Sequence, residues 1–434
     1  MSSTALMTDR YELTMLDAAL GDGTADRRSV FEVFGRRLPG GRRYGVLAGT
    51  GRLLDAIERF RFEEAELHWL AEQRIVSDHT LEWLAGYRFR GTITGYREGE
   101  LYFPYSPLLT VEGTFAEAVV LETLLLSVLN ADSAIATAAA RMVQSAAGRP
   151  VAEMGSRRTQ EHAAVSASRA AWIAGFSATS NLEAGRRWGV PTMGTAAHAF
   201  TLLHDSEEGA FRAQIAAMGV GTTLLVDTYD IAEGIRTAVR VAGTELGAVR
   251  IDSGDLPVVV GEVRRLLDSL GATRTRITVT NDLDEYAIAA LGAMPVDAYG
   301  VGTALVSGSG HPAAGLVYKL VEHVDSDGGW RRVAKQSSEK AGRGGRKWAV
   351  RDLDQAGRAL AERVVIAEHE PDPGSGRPLV VPLVVDGRID HQHLGVAGVR
   401  AARDHHASVI GELPPEATRL SSGDPAIPTV IEGA

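Results

Sequence analysis

Residues 223–256 read TLLVDTYDIAEGIRTAVRVAGTELGAVRIDSGDL, and this stretch decides the fold class. Two short apolar runs, residues 223–226 and 249–251, flank a segment with the apolar periodicity of a helix. Asp230-Ile-Ala-Glu233 has the form of a capping box, which predicts that the helix begins there. A strand, a helix and a second strand in this order are typical of a β-α-β unit with parallel strands.

The same alternation continues towards the C-terminus. Strand candidates lie at residues 276–279 and 296–299, and helical patterns lie at residues 256–270 and 284–291. The strands recur at intervals of about 20 to 28 residues, which is the spacing that repeated β-α units need. We therefore predict an α/β fold built on an irregular parallel β/α barrel.

The flanking segments have a different pattern. Residues 1–112 mix short helices with alternating runs such as 29–34 and 91–96, which predicts an additional α+β domain. The barrel and its active site are assigned to residues 113–311. The loop-rich segment 312–434 is predicted to pack on the N-terminal domain and to complete part of it.

Composition narrows the function classes. The chain has 434 residues, 45% of them hydrophobic and 23% charged, which is typical of a globular protein. The 45 basic and 55 acidic residues give a net charge of −10, which argues against a nucleic-acid partner. The absence of cysteine excludes disulfides and Cys nucleophiles and fits a reducing cytosol.

No segment has the pattern of a signal peptide or membrane span. Asp9, Arg10 and Glu12 precede any apolar run. Residues 298–318 are interrupted by glycines and a proline, and the Ala/Leu-rich residues 115–147 carry charges that predict a buried core helix. We predict a cytoplasmic protein with no membrane partner.

Polar residues follow four successive strand candidates. They are Asp227; Asp252, Ser253 and Asp255; Asn281 and Asp282; and Gly300-Val-Gly-Thr303. Short polar residues also form turns and helix caps, so each group alone has a structural interpretation. In β/α barrels, however, the loops at the carboxyl ends of the strands converge on the active site, so all four groups are predicted to face one mouth.

These groups suit a phosphorylated sugar. Gly300-Val-Gly-Thr303 offers open backbone amides and a hydroxyl for a phosphate, and the carboxylates could hold ribose hydroxyls or Mg²⁺. Gly155-Ser-Arg-Arg158 places two guanidinium groups on a flexible loop, where they could clamp a diphosphate or a carboxylate or simply be solvated. His198 follows the strand candidate at residues 190–193 and is predicted to lie at the same mouth, although a lone histidine can also be structural.

The ordered set of motifs resembles nicotinate phosphoribosyltransferase from residue 8 to about residue 350. The motifs are Thr8-Asp-Arg-Tyr-Glu-Leu-Thr-Met15, Glu112-Gly113, Glu153-Met-Gly-Ser-Arg-Arg158, Gly194-Thr-Ala-Ala-His198, Arg250-Ile-Asp-Ser-Gly-Asp255 and Gly300-Val-Gly-Thr303. The resemblance implies a homodimer in which an α+β domain joins an incomplete α/β barrel. It also implies transfer of phosphoribosyl from 5-phosphoribosyl 1-diphosphate to nicotinate in NAD salvage, with ATP as co-substrate and Mg²⁺ as cofactor.

The resemblance also implies roles for single residues. His198 matches the family's transiently phosphorylated histidine, and Tyr11 matches an aromatic residue that the partner subunit contributes to the pyridine site. Thr195 and Arg250 match contacts to nicotinate. Thr303, with Gly302 beside it, matches a contact to the phosphoribosyl donor.

Other residues are assigned to the charged part of the reaction. Arg157 and Asp252 are similar to residues that surround diphosphate and ribose in the wider fold group. Asp252 and Asp255 are the predicted Mg²⁺ ligands. Ser180 and Asn181 stand near the position where the nicotinamide-using relative has an acid, and because both are neutral, a substrate carboxylate can pair with Arg250.

Several alternatives remain open at this point. Nicotinamide phosphoribosyltransferase and quinolinate phosphoribosyltransferase use a similar donor, although the second is typically shorter and would not need His198. A non-catalytic protein that binds sugar phosphates would keep the fold without the reaction. Gly175-Phe-Ser-Ala-Thr179 lacks the last glycine of a serine-hydrolase elbow, and the pairs His391/His393 and His405/His406 lack the carboxylates of a metal site.

Two positions depart from the family pattern. Met154 stands where some relatives have an aromatic residue that stacks on the pyridine. The segment Ala341-Gly-Arg-Gly-Gly345 lacks a Pro-Gly turn expected in a later basic motif, which leaves the roles of Lys335, Lys340 and Lys347 open.

Overall fold

A computed structural model describes residues 3–335 and 343–433 of the chain. Lys340, and with it part of the altered basic motif, lies outside the described residues. The α-helices are α1 (Arg10–Asp22), α2 (Thr50–Glu58), α3 (Glu64–Glu72), α4 (Asp78–Ala85), α5 (Phe115–Val119), α6 (Glu122–Ser145), α7 (Glu161–Ile173), α8 (Leu182–Trp188), α9 (His198–Leu203), α10 (Glu207–Met218), α11 (Ile231–Ala242), α12 (Leu256–Ser269), α13 (Glu285–Ala290), α14 (Thr303–Val306) and α15 (Gly395–Val409).

The strands alternate with these helices in the middle of the chain and cluster towards its two ends. They are β1 (Arg28–Gly35), β2 (Gly45–Val46), β3 (Thr92–Tyr96), β4 (Leu101–Tyr102), β5 (Leu109–Thr114), β6 (Val151–Glu153), β7 (Ala178–Thr179), β8 (Thr223–Leu225), β9 (Ala248–Ile251), β10 (Arg276–Val279), β11 (Ala298–Val301), β12 (Leu316–Val324), β13 (Trp330–Arg332), β14 (Lys347–Leu353), β15 (Ala359–Ile366), β16 (Arg377–Pro378), β17 (Val380–Val385), β18 (Arg388–Ile389) and β19 (Thr429–Glu432).

The chain forms two compact units, one made of Met1–Thr137 with His311–Ala434 and the other of Ala138–Gly310. The predicted domain boundaries at residues 112 and 311 stay a prediction.

The unit of residues 138–310 contains a six-stranded parallel sheet in the order β7-β6-β11-β10-β9-β8. Val249 in β9 lies between Leu224 of β8 and Ile277 of β10, so successive β-α units place their strands side by side. Strands β7 and β8 are the two edges of this sheet. The sheet is therefore an incomplete barrel, which confirms the predicted irregular parallel β/α architecture.

Local sequence explains how these units close. The side chain of Asp230 accepts a hydrogen bond from the backbone N of Glu233 at 2.9 Å, so α11 begins at the predicted cap. Gly234 allows α11 to pack closely on the chain after β8, because a Cβ there would lie 2.4 Å from the carbonyl oxygen of Val226. Helix α11 thus packs against the chain directly after β8.

The other unit is built around a seven-stranded antiparallel sheet in the order β13-β12-β1-β5-β3-β17-β18. Strand β1 pairs with β12, so that Phe31 lies opposite Leu320, and β3 pairs with β17. The N-terminal segment and the tail therefore share one sheet. This arrangement confirms the predicted additional α+β architecture.

The apolar segment 115–147 folds into α5 and α6. By length and composition, the stretch Phe115–Ser145 could cross a membrane, but 61% of its most apolar window is buried inside the protein. Leu125 and Leu129 are fully buried in the core of the first unit. The segment is thus a core helix, as its charges predicted.

Candidate functional site

A pocket of about 410 Å³ opens where the strands of the parallel sheet end at their carboxyl termini. All of its lining residues belong to the unit of residues 138–310. Its volume lies within the range typical of small-molecule sites. It is lined by Met154, Ser156, Arg157, Arg158, Ser180, Met193, Gly194, Thr195, Ala196, Ala197, Arg250, Asp252, Thr280, Asn281, Asp282, Gly300, Gly302 and Thr303.

Arg250 provides a cation in the wall of this pocket. Its Nη1 donates a hydrogen bond to Thr195 Oγ1 at 2.8 Å, and its buried Nε has no partner among the described residues. Burial lowers the pKa of the Arg250 guanidinium and Arg157 acts in the same direction, while Asp252 and Asp227 oppose them. Because arginine stays charged in proteins, the pocket holds a partly desolvated positive charge that suits a planar carboxylate.

Two aspartates shape the end of β9. The fully buried side chain of Asp227 accepts hydrogen bonds through Oδ2 from the backbone N of Asp252 and from Ser253 Oγ, both at 2.7 Å. Asp252 in turn accepts a hydrogen bond from the hydroxyl of Thr280. Asp227 therefore fixes the loop that carries Asp252, and Asp252 presents its carboxylate to the pocket.

His198 begins α9 beside this pair of carboxylates. Its Nδ1 lies 3.1 Å from Thr228 Oγ1. This hydroxyl oxygen can accept a hydrogen bond from Nδ1–H, and in that tautomer the free lone pair is on Nε2. Nε2 lies 3.9 Å from Asp227 Oδ1 and 3.9 Å from Asp252 Oδ2. The imidazole is 41% exposed, so a reactant can reach Nε2 from the solvent side.

A buried carboxylate holds the arginine loop. Glu153 at the end of β6 accepts hydrogen bonds from the backbone N of Gly155, from Ser168 Oγ at 2.8 Å and from Thr179 Oγ1. A Cβ on Gly155 would lie 2.4 Å from Val306 Cγ1, so only glycine fits at this turn. These contacts fix the loop that places Arg157 at the pocket.

The loop after β11 forms the opposite wall. A Cβ at Gly300 would lie 2.6 Å from Thr280 Cγ2 and 2.7 Å from Met154 Sδ, so the pocket needs glycine there. Gly302 and Thr303 follow at the start of α14 and line the cavity. Met154 lies beside Gly300 and supplies an apolar surface, which is a suitable contact for a pyridine ring.

The structure brings most of the predicted site residues together. The residues that line the pocket are Arg157, Ser180, Thr195, Arg250, Asp252, Gly302 and Thr303. His198 lies next to this group through Asp252.

Three predicted site residues lie elsewhere. Asn181 caps α8 by accepting a hydrogen bond from the backbone N of Ala184 at 2.9 Å. The helix begins at Leu182, directly after this cap. Asp255 precedes α12 and is exposed outside the lining of the pocket. Tyr11 belongs to α1 in the other unit, where burial and the nearby Glu122 raise its pKa to about 12.

Sequence reasoning did not assign roles to several residues that shape the site. Asp227 was predicted only to face the mouth, and Glu153 appeared only within a motif, because the role of each depends on hydrogen bonds to distant segments. Asn281 and Asp282 line the pocket with φ values of 102° and 42°, a backbone conformation that non-glycine residues rarely adopt. Their position directly after a strand was the available signal for both.

One lysine of the later basic motif has a structural role. Lys347 is buried in the other unit and donates a hydrogen bond to Glu32 at 2.8 Å, so it is committed to an ion pair. Lys335 is exposed.

Comparison with known proteins gives consistent matches. The family model described as the nicotinate phosphoribosyltransferase (NAPRTase) N-terminal domain matches residues 6–130. The protein named nicotinate phosphoribosyltransferase pncB1 from Mycobacterium tuberculosis is 56% identical over 435 residues, covering 98% of this chain and 94% of that relative. The nicotinate phosphoribosyltransferase of Bacillus subtilis is 38% identical over 367 residues, covering 82% of this chain and 74% of that relative.

A solved structure matches over nearly the whole length. The crystal structure of human nicotinic acid phosphoribosyltransferase has a TM-score of 0.82 at 26% identity, and the match covers 98% of this chain and 97% of that chain.

Proposed function

This chain belongs to the nicotinate phosphoribosyltransferase family, and we propose that the pocket at the ends of the parallel strands is where it performs that family's reaction. The enzyme transfers the phosphoribosyl group of 5-phosphoribosyl 1-diphosphate to nicotinate. The pyridine nitrogen forms a bond to C1 of the ribose while the bond from C1 to the diphosphate oxygen breaks. The products are nicotinate mononucleotide and diphosphate.

The observation that carries the site assignment is the convergence of Arg157, Arg250, Asp252 and Thr303 on one cavity. C1 becomes cationic as the diphosphate leaves, so the reaction needs cations near the leaving group and anionic or polar groups near the sugar. The pocket contains both kinds of charge, since Arg157 and Arg250 are cationic and Asp252 is anionic. A non-catalytic sugar-phosphate site would not need this arrangement.

Arg250 recognises the nicotinate carboxylate. Its guanidinium lines the pocket and is already oriented by Thr195. Ser180, which lines the same pocket, is neutral and adds no repulsion. Nicotinate is therefore preferred over nicotinamide, which lacks the negative charge.

The phosphates of the donor are assigned to the opposite walls. Arg157 faces the departing diphosphate, and Gly302 with Thr303 offers an amide and a hydroxyl to the second phosphate group. Asp252 remains for the ribose hydroxyls or for the cation that accompanies the diphosphate.

The donor set also fits Mg²⁺. Mg²⁺ commonly binds one or two carboxylates and completes its shell with phosphate oxygens and water. Asp227 Oδ1 is buried without a hydrogen-bond partner in the described part of the chain, and it and Asp252 Oδ2 each lie 3.9 Å from His198 Nε2. When bound, the ion would neutralise negative charge on the leaving diphosphate. Asp252 is the better placed of the two predicted ligands, since Asp255 is outside the cavity.

His198 couples the reaction to ATP. The Nε2 lone pair attacks the γ-phosphorus of ATP, the bond to the β-phosphate oxygen breaks, and ADP leaves. Water later hydrolyses the phosphorus–nitrogen bond, which returns free imidazole and phosphate. ATP hydrolysis through this cycle favours nucleotide formation if the phosphorylated enzyme binds 5-phosphoribosyl 1-diphosphate more tightly than the unphosphorylated enzyme does.

The remaining assignments concern the homodimer and the cellular location. Tyr11 is exposed on α1, which suits a residue supplied to the pyridine site of a partner subunit in a homodimer. The lack of cysteine fits a cytoplasmic enzyme, and its product is a precursor for NAD salvage.

Product formation from nicotinate, donor and Mg²⁺, with and without ATP, tests the function. ATP labelled at the γ-phosphate should label the wild-type chain at His198, and His198→Ala should lose both the label and the stimulation by ATP. His162→Ala, which changes an exposed histidine on α7, is the matched control. Equal labelling of His198→Ala and wild type would show that His198 is not the phosphorylated residue.

A further inference from the structure

A second cleft, of about 740 Å³, lies within the unit formed by residues 1–137 and 311–434. Its rim carries Arg61, Arg88, Arg90 and Arg388, and we call it the arginine cleft. Arg61 follows α2, Arg88 and Arg90 precede β3, and Arg388 lies in β18. Three separate segments thus place guanidinium groups around one cavity.

These four arginines have no carboxylate partner within ion-pair distance among the residues that the structure describes. Arg61 donates through Nε to the carbonyl oxygen of Glu58 at 3.1 Å, and Arg88 donates to the carbonyl oxygen of Tyr87. Burial lowers the pKa of Arg88, and the neighbouring Arg61 lowers it further. Glu63 acts on the pKa of Arg88 in the opposite direction, but none of the four guanidinium groups is committed to an ion pair within the described residues.

The local charge is opposite to that of the whole chain. The cleft is also lined by the carboxylates of Glu58 and Asp386, which leaves the arginines in excess. The chain as a whole carries a net charge of −10. A cationic cleft on an acidic protein concentrates anions locally, and guanidinium groups bind phosphate oxygens in bidentate geometry.

The floor of the cleft is apolar. It includes Ile57, Phe60, Phe89 and Val384, and all four side chains are buried. Phe60 packs edge-on against Tyr87 with ring centroids 5.6 Å apart, so this floor is part of the rigid core. An apolar floor beneath a cationic rim matches a ligand that joins a flat ring to several phosphates.

We propose that the arginine cleft is a second binding site that takes a nucleoside polyphosphate, with the phosphates on the arginines and the base on the apolar floor. The site is separate from the pocket that carries the reaction, and the assignment does not depend on the roles proposed for His198 or Arg250. An inorganic polyphosphate shares the anionic chemistry but lacks the base.

Calorimetric titration of the full-length enzyme with ATP tests the proposal, since the reaction pocket and the arginine cleft should give two sites per chain. Arg88→Glu/Arg90→Glu should remove one of them or weaken it at least about tenfold, because two charged contacts become repulsive. Arg265→Glu/Arg419→Glu changes two exposed arginines elsewhere and should keep both sites. Binding at the cleft should weaken as salt is raised.

The outcomes separate the candidate ligands. ATP binding that keeps the wild-type number of sites and affinities in Arg88→Glu/Arg90→Glu would overturn the proposal, whereas a single wild-type site that this variant removes would support the cleft and argue against ATP in the reaction pocket. Equal affinity of the cleft for tripolyphosphate and ATP would overturn the assignment to a nucleotide. Phosphoribosyl transfer at saturating substrate should be unchanged in the cleft variant, and Arg90→Ala/Arg388→Ala provides a milder second variant if the charge reversal unfolds the protein.

Discussion

Replacing Arg250 by alanine should lower kcat/KM more for nicotinate than for nicotinamide. The side chain donates to Thr195 Oγ1 at 2.8 Å and has a buried Nε without a partner, so it is oriented before substrate arrives. A hydrogen bond to a charged group contributes about 1.5–3 kcal/mol, against about 0.5–1.5 kcal/mol for a neutral one. Since about 1.4 kcal/mol corresponds to a factor of ten, Arg250→Ala should lower kcat/KM for nicotinate by roughly 10- to 150-fold.

Nicotinamide should lose less, by about tenfold at most, because it presents no charge to the guanidinium. The assay is initial-rate kinetics at saturating donor and ATP with each pyridine in turn. If nicotinamide turns over too slowly, its inhibition constant against nicotinate replaces its kcat/KM. Arg250→Lys should recover part of the nicotinate rate, because it keeps the charge and loses the planar fork.

Arg265→Ala is the matched control, since Arg265 is exposed on α12 and pairs with no carboxylate in the described part of the chain. Its kinetics should equal those of the wild type. Thermal unfolding of each variant separates a loss of contact from a loss of fold. Equal losses for both pyridines in Arg250→Ala would refute the pairing of this arginine with the substrate carboxylate.

Three further changes test the supports of the site and the fold. Gly155→Ala should destabilise the protein by about 1–3 kcal/mol in denaturant unfolding, because the new Cβ would lie 2.4 Å from Val306 Cγ1, whereas Gly261→Ala meets nothing within 4 Å and should not. Glu153→Gln replaces one of the two carboxylate oxygens, which together accept three hydrogen bonds, by an NH₂ group that can only donate. The KM for 5-phosphoribosyl 1-diphosphate should therefore rise about tenfold or more in steady-state assays, and a wild-type KM would contradict the positioning role of Glu153. Burial lowers the pKa of His406 from 6.5 to about 4 in the folded protein. As the pH falls from 6.5 to 4, this histidine is protonated in the unfolded chain before it is protonated in the folded one, so the free energy of unfolding should fall by about 3 kcal/mol. His406→Asn should flatten that part of the profile, and an unchanged slope would show that other groups cause it.

The parallel sheet was predictable because each of its strands is short, apolar and followed by a helix signal. The observed β8 and β10 begin at the predicted residues, whereas the last predicted strand, at 296–299, forms as β11 at Ala298–Val301. The shift arises because the chain joins the ladder late, with Asp297 N donating to the carbonyl oxygen of Ile277 at 2.8 Å. Local apolar character places a strand, but long-range pairing sets its ends and decides whether the barrel closes.

The site was predictable to the extent that it depends on position along the strands. Asp252 and Thr303 were found because each follows a strand candidate and the loops after parallel strands converge, whereas Ser180 was named through the family resemblance. Asn181 follows a strand equally closely, yet its side chain is used as a helix cap. Sequence position therefore predicts which loop faces the pocket, while the competition for hydrogen bonds inside that loop decides which side chain reaches it.

The geometry around His198 gives a physical reason for coupling phosphorylation to the donor. Under the proposed mechanism, phosphorylation places negative charge on an atom that lies 3.9 Å from each of two carboxylate oxygens, on Asp227 and Asp252. Like charges at this distance repel strongly in a partly desolvated site unless cations are shared among them. The donor brings further phosphates into the same region, so the two events must use the same neutralising charges. Arg157 and Arg250 interact electrostatically and line the same cavity, so both are placed to provide that shared charge.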